Sequence, residues 1–304
     1  MQHSRFSPPN GPLLVTVLAW AYNFTAVKFV YREIEPAAVA LTRCIVVGLF
    51  LVGVCWSLKL SLKVPRELWA RVILQGFLAN GLYMVLFMDG MGRTTPAMGA
   101  VILATAPVLT ATFSMLVRHE PFHSGVLVGG AIAFAGVFVA VQSHGGAMGG
   151  TLLGNAMILG AAIVWSCSIL LMQRILGAMT PLQAVTCSTP GALLALVPYG
   201  LMATLKAPWS QVSAVGWGNY IHVALISGGL AFITYYKGTH MIGVVRATTY
   251  QFLVPPIAAL MAWVALGQKP QLIFWLGLGL VVVGVAVVAR AKGSLRPREV
   301  KPQT

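Results

Sequence analysis

The stretch "GLYMVLFMDGMGRTTPAMGAVILATAPVL" runs from Gly81 to Leu109, and "GLAFITYYKGTHMIGVVRATTYQFLVPPI" runs from Gly229 to Ile257. Few residues agree between them, yet the helix-breaking residues do. Gly81 and Gly229, Gly90 and Gly238, and Pro107 and Pro255 each stand 148 positions apart. Gly129 and Gly277, then Gly136 and Gly284, keep the same offset without a gap. Nearer the front, Trp20 pairs with Trp165 and Pro36 with Pro181, in both cases 145 positions apart. Self-similarity at one offset is the mark of a duplicated structural unit.

What each unit is follows from composition. Of 304 residues 58% are apolar and 9% charged, against roughly 25% charged in soluble domains. Apolar windows of about 20 residues, enough to cross ~30 Å of hydrocarbon, follow one another almost without pause. The expected spans are 12–31, 36–57, 70–89, 95–117, 122–142, 150–173, 181–204, 214–237, 245–266 and 270–290. The start "MQHSRFSPPNGPLLVTVLAWAYNF" reads as an uncleaved first span, since no soluble domain follows it. The fold class is therefore an all-α integral membrane protein of ten transmembrane helices. Residues 12–142 form the first unit, 150–290 the second and 291–304 a basic tail.

Five spans per unit is an odd number, so the second copy enters the membrane upside down. That architecture, two inverted repeats around a central cavity, is the one many alternating-access carriers use. Orientation follows from basic residues. With both termini in the cytoplasm, fourteen Lys and Arg face inward and five (Lys28, Arg32, Arg93, Lys206 and Lys269) face outward. The net charge of +14 thus sets topology and marks no nucleic-acid surface, for no basic face with spaced aromatics accompanies it. Cys44, Cys55, Cys167 and Cys187 fall inside apolar segments with no metal-ligand or redox spacing. They read as core hydrophobes.

The residues also carry a resemblance. "LAWAYNFTAVKF" from Leu18, "EPAAVALTR" from Glu35 and "ATAPVLTATFSMLVRHEPF" from Ala104 have counterparts in "AAIVWSCSILLMQR" from Ala161 and "LVPPIAALMAWVALGQKP" from Leu253. Both halves resemble EamA-type domains of the drug/metabolite transporter superfamily, and within it the bacterial inner-membrane exporters of aromatic amino acids. The resemblance implies a ten-helix basket with one central cavity, a transporter and no enzyme, in a bacterial inner membrane. It also implies a small-molecule substrate, with one chain sufficient to form the cavity and no cofactor. One departure is Gln268, which stands where the first half has Glu120.

Polar and aromatic residues inside spans are costly against lipid and turn to the interior. Thr16, Trp20 and Asn23 share one helix face, as do Asn80, Tyr83 and Phe87, and Trp165, Ser168 and Met172. Tyr250 and Gln251 precede Pro255, beside Thr248. The expected substrate-binding set is Trp20, Asn23, Tyr83, Trp165, Ser168, Tyr250 and Gln251, aromatic faces for a ring and amides or hydroxyls for its polar end. Helix packing and interface anchoring are the competing role for such residues. Pro107 and Pro255 are candidate hinges or structural kinks. Gly129, Gly136, Gly277, Gly279 and Gly284 suit close helix approach. Arg43, inside the second span, either meets a substrate carboxylate or satisfies backbone carbonyls. His222 either titrates or is structural.

What is missing narrows the chemistry. None of the six acids lies mid-span, which disfavours a cationic substrate and gives no clear proton carrier. Asp89 is the nearest candidate. Facilitated export of aromatic and other neutral amino acids is the expected activity, with a different metabolite or drug and proton coupling as the alternative. No HExxH, GxSxG or nucleotide loop supports an enzyme, and no group of residues supports a metal site.

Overall fold

A computed structural model of the chain describes residues 10–118, 124–142, 150–176, 178–242 and 250–293. Among them every regular element is helical. The helices are α1 (Gly11–Val30), α2 (Pro36–Ser57), α3 (Trp69–Gly76), α4 (Tyr83–Arg93), α5 (Pro96–Leu103), α6 (Ala106–Arg118) and α7 (Ser124–Gln142). They continue with α8 (Leu152–Ile175), α9 (Pro181–Lys206), α10 (Ala214–Ile221), α11 (Ala231–Ile242), α12 (Val254–Leu266) and α13 (Leu272–Gly293). Six helical segments are long and apolar enough to cross a membrane: Gly11–Val30, Pro36–Ser57, Arg66–Arg93, Pro96–Val117, Leu152–Ile175 and Pro181–Lys206. Ser124–Ala140, Val254–Leu266 and Leu272–Val288 are shorter apolar helices. Large side chains such as Val264, 87% exposed, face outward, as a lipid-facing surface requires.

Local chemistry starts and stops these helices. Asn10, Thr95, Thr151, Thr180 and Ser213 each cap a first turn through the side-chain oxygen, satisfying one orphan N–H. Thr180 and Gln183 complete a reciprocal capping box ahead of α9. Gly267, at φ 69°, ends α12 in a left-handed turn that a residue with Cβ adopts poorly.

Two interruptions fall at matched places. Phe77–Leu82, between α3 and α4, and His222–Leu230, between α10 and α11, are π-helical. Moved by 148 positions, the first maps inside the second, onto 225–230. Residues 104–105 form a turn before α6, and Gln251–Leu253 form a 3-10 turn before α12. Pro107 and Pro255 are the second residues of those helices. There a missing N–H costs nothing, because the first turn has no intrahelical acceptor to lose. Neither proline kinks the middle of a continuous helix; each restarts one after a break.

Packing follows the same pairing. α1 lies against α10, His222–Leu230 and α11, as α8 lies against α3, Phe77–Leu82 and α4. α2 packs on α9, α1 on α12, α6 on α8, and α5 on α12. The most extensive seam joins α7 to α13. A Cβ on Gly129 would stand 2.6 Å from the Gly284 carbonyl oxygen, and one on Gly136 would stand 2.6 Å from that of Gly277. Only glycine lets two backbones approach so closely. Gly279 does not belong to this seam: a Cβ there would meet nothing within 4 Å. It lies two residues from Gly277 and so turns to another side of α13.

Candidate functional site

Two aromatic clusters form, each around the tryptophan of one half and rings contributed by the other. Trp20, half-buried on α1, donates Nε1–H to the Ser227 carbonyl at 3.2 Å. Its ring meets Phe232 at 5.7 Å and Tyr235 at 5.5 Å on α11. The acceptor is available because Ser227 lies in the π-helical stretch, where the i→i−4 ladder is displaced. In the other half Trp165, half-buried on α8, meets Tyr83 of α4 at 5.3 Å. Tyr83 stacks on Phe87 at 5.6 Å and an interplanar angle of 10°. Phe87 meets Phe24 of α1 edge-on at 5.9 Å, so the second cluster reaches the helix that carries the first.

The remaining expected residues divide. Asn23 is 6% exposed and its Oδ1 has no hydrogen-bond partner among the described residues, an uncommon condition for a buried amide. Thr16, by contrast, is engaged in helix packing. Its hydroxyl lies 2.8 Å from Thr234 Oγ1 and 3.2 Å from the Ala231 carbonyl. Ser168 is 1% exposed and donates to the Trp165 carbonyl of its own helix at 2.7 Å. Its neighbour Ser166 makes the cross-helix bond instead, to the Ala106 carbonyl at 3.1 Å beside the break before α6. The i, i+3, i+7 face drawn through Trp165 selects Ser168 and passes over Ser166.

Tyr250 accepts a hydrogen bond from the Asn10 backbone N–H at 3.1 Å. It therefore ties down the start of α1, about 15 Å along the helix from Trp20 at 1.5 Å per residue. Gln251, half-buried, opens the neighbouring 3-10 turn. Thr248, Glu120 and residues 294–304 of the tail lie outside the described residues.

Ionisable groups complete the site. Arg43 on α2 is 7% exposed and donates through an Nη to Met84 Sδ at 3.4 Å. His222 Nε2 lies 3.0 Å from the Ala19 carbonyl, which can only accept, so the proton is on Nε2. Its ring stands edge-on to Tyr22 at 4.8 Å; this is a structural histidine. Asp89 accepts from the Tyr199 hydroxyl at 2.7 Å, joining α4 to α9. Glu33 accepts from the Ser213 backbone N–H at 2.6 Å and hydroxyl at 2.7 Å. Those bonds, the hydroxyl's first, hold the Glu33 carboxyl below its ordinary range. The four cysteines are free, and Cys167 is exposed on the outer face of α8, so it is not the core hydrophobe its apolar setting suggested.

Known proteins agree with this architecture. The pattern of the EamA-like transporter family matches residues 12–142 and again 152–290. A probable terminal-alkyne amino-acid exporter of Streptantibioticus cattleyicolor is 23% identical over 278 residues, 91% of this chain and 92% of that protein. The uncharacterized inner membrane transporter YedA of Escherichia coli is 25% identical over 303 residues, 96% of this chain and 94% of its own. A protein known as a crystal structure superposes with a TM-score of 0.63 at 20% identity, covering 91% of this chain and 95% of that one. At that identity the likeness concerns fold alone. With both halves matched and similarity running nearly end to end, the chain belongs to the EamA-like transporter family and is a multi-pass membrane transporter, not an enzyme.

Proposed function

We propose that the protein exports aromatic and other neutral amino acids across a bacterial inner membrane by alternating access. Its ten helices act as two inverted five-helix units, 12–142 and 150–290, with both termini and the basic tail in the cytoplasm. One chain suffices to form the site, and substrate moves by facilitated diffusion. The observation that carries the reading is the pair of aromatic clusters on the repeat mates Trp20 and Trp165, each packed against the helix pair of its own pseudo-symmetric contact. Flat rings bind a ligand ring for about 0.5–1.5 kcal/mol beyond its buried area. Beside them Asn23 offers an unpartnered carbonyl oxygen to an ammonium group. The matched π-helical stretches and restarted helices support an inverted repeat. The amino-acid exporter among the relatives supports the substrate class.

Within this reading Trp20, Tyr83 and Trp165 contact the ring. Ser168 bonds within its own helix, Tyr250 holds the start of α1, Gln251 sits beside the second helix break, and Pro107 and Pro255 mark the hinge points. Counterflow of labelled phenylalanine into liposomes loaded with unlabelled phenylalanine tests the proposal. Saturable uptake that tryptophan inhibits, lysine does not, and Trp165→Ala weakens supports it. A folded protein without counterflow refutes the aromatic substrate. A second reading, a proton-coupled exporter of another metabolite, draws on the Asp89–Tyr199 bond inside the helical bundle. Flux that follows an imposed pH gradient, and loses that dependence in Asp89→Asn, would favour it.

A further inference from the structure

Arg43 is a buried cation with no counter-charge among the described residues. It is the eighth residue of α2, and its single hydrogen bond among the described residues is the contact with the Met84 sulfur, a weak acceptor. The carboxylates of the bundle are engaged elsewhere: Asp89 holds Tyr199 and Glu33 holds Ser213. The groups within electrostatic reach are neutral, namely Tyr31, Cys44, Tyr83, Tyr220 and His222. Two of them are already committed as donors, Tyr31 to the Met88 carbonyl and His222 to that of Ala19. Among the described residues no backbone carbonyl accepts from the guanidinium, so none of them offsets its charge in that way.

An arginine cannot shed its charge, and burying one unpaired costs several kcal/mol. A folded chain keeps that cost where an anion arrives to offset it. Gly228 packs beside the guanidinium: a Cβ there would stand 2.7 Å from Val47 Cγ2 and 3.3 Å from Arg43 Nε, so the missing side chain is what lets Arg43 lie against the His222–Leu230 stretch. The residue before Met84 is Tyr83, whose ring leads to Phe87 and Trp165. A molecule whose ring lies on that cluster brings its polar end toward Arg43. The matching position in the other half, 145 residues on, is Ser188, which donates to its own helix at Val185. The two halves therefore differ by a buried charge at this position, and a dipolar ligand has one favoured direction.

We infer that Arg43 is the carboxylate-binding residue of the transport site, and that the transported molecules are small carboxylates, amino acids among them. This deepens the proposed function and rests on its central site, but it does not require an aromatic side chain. A planar guanidinium meets a carboxylate with two parallel hydrogen bonds.

The test uses the full chain in liposomes and in detergent, with phenylalanine, phenylalaninamide and 3-phenylpropionate as competitors and the leucine acid–amide pair beside them. The acids are expected to compete about 10–100-fold better than the amides, the worth of a charge-assisted hydrogen bond. In Arg43→Met that discrimination disappears, and so does the rise in melting temperature on adding each acid. The ligand-free variant melts higher than the native chain, since an unpaired buried charge is gone. Arg43→Lys keeps the preference for acids with weaker affinity. Leucine competing as well as phenylalanine, with acid–amide discrimination intact, removes the aromatic reading and leaves this inference standing. Equal competition by acid and amide, a failure of every acid to raise the melting temperature, or an Arg43→Met chain that melts lower or does not fold overturns it.

Discussion

Two glycines stand two residues apart on α13 and differ sharply in what surrounds them. At Gly277 of α13 a Cβ would stand 2.6 Å from the Gly136 carbonyl oxygen and 2.5 Å from the Ala140 nitrogen. Ordinary contact begins near 3.4 Å, so α7 and α13 must part by about 0.8 Å to admit an alanine. A gap of that size forfeits roughly a quarter to a half of the dispersion along the seam. Overpacking of this kind costs about 1–3 kcal/mol. At Gly279 the added methyl meets nothing within 4 Å. There Gly→Ala gains helix propensity, about 0.5–1 kcal/mol. Gly277→Ala should therefore lower the melting temperature of the purified protein in lipid nanodiscs, while Gly279→Ala holds or raises it. The free-energy difference is roughly 1.5–4 kcal/mol. Gly136→Ala should mimic Gly277→Ala. Adding the two should cost less than their sum, because a seam already parted has less to lose. Equal melting temperatures for Gly277→Ala and Gly279→Ala would refute the seam as the structure draws it.

Trp20→Phe keeps a ring against Tyr235 but leaves the Ser227 carbonyl without its donor. A loss of about 1 kcal/mol in stability is expected, with faster amide exchange in residues 222–230; unchanged exchange there would contradict it. Ser166→Ala removes the bond that crosses to Ala106, while Ser168→Ala removes only a bond within its own helix. The first should destabilise by about 1 kcal/mol and the second hardly at all, and thermal denaturation compares the two directly. Glu33 is held below its ordinary pKa by Ser213, so its contribution is present above the unfolded value and fades as pH falls through the lower folded one. Hydrogen exchange at Ser213 and Gly216 should quicken across that acidic window. In Glu33→Gln the pH dependence should be absent, and its persistence would exclude Glu33 as the cause.

Much of this was legible in one dimension. Composition and the length of apolar runs demand membrane helices, because backbone groups in hydrocarbon must be satisfied by a helix or a closed barrel and runs of about 20 apolar residues fit only the helix. The 148-residue offset is an arithmetic property of the chain, and the glycines it marks do sit at close approaches. Proline and threonine at helix starts announce their own chemistry, as at Thr180–Pro181. Helical period also placed Trp20, Asn23, Tyr83 and Trp165 on inward faces, since period is local.

Other features needed the neighbours. Whether a hydroxyl serves a ligand or a helix depends on the acceptor opposite it, and sequence does not contain that distance. Thr16 found Ala231, Ser168 its own turn, and Tyr250 the N–H of Asn10. The π-helical stretches expose a carbonyl only once a partner such as Trp20 can reach it. Gly277 and Gly279 look alike as letters and differ only in what stands across from them. Arg43 is the clearest case. Its position inside a span follows from the sequence. Its lack of a counter-charge comes from the packing of α2, α4 and the His222–Leu230 stretch around it, because a charge is paired or unpaired only in three dimensions.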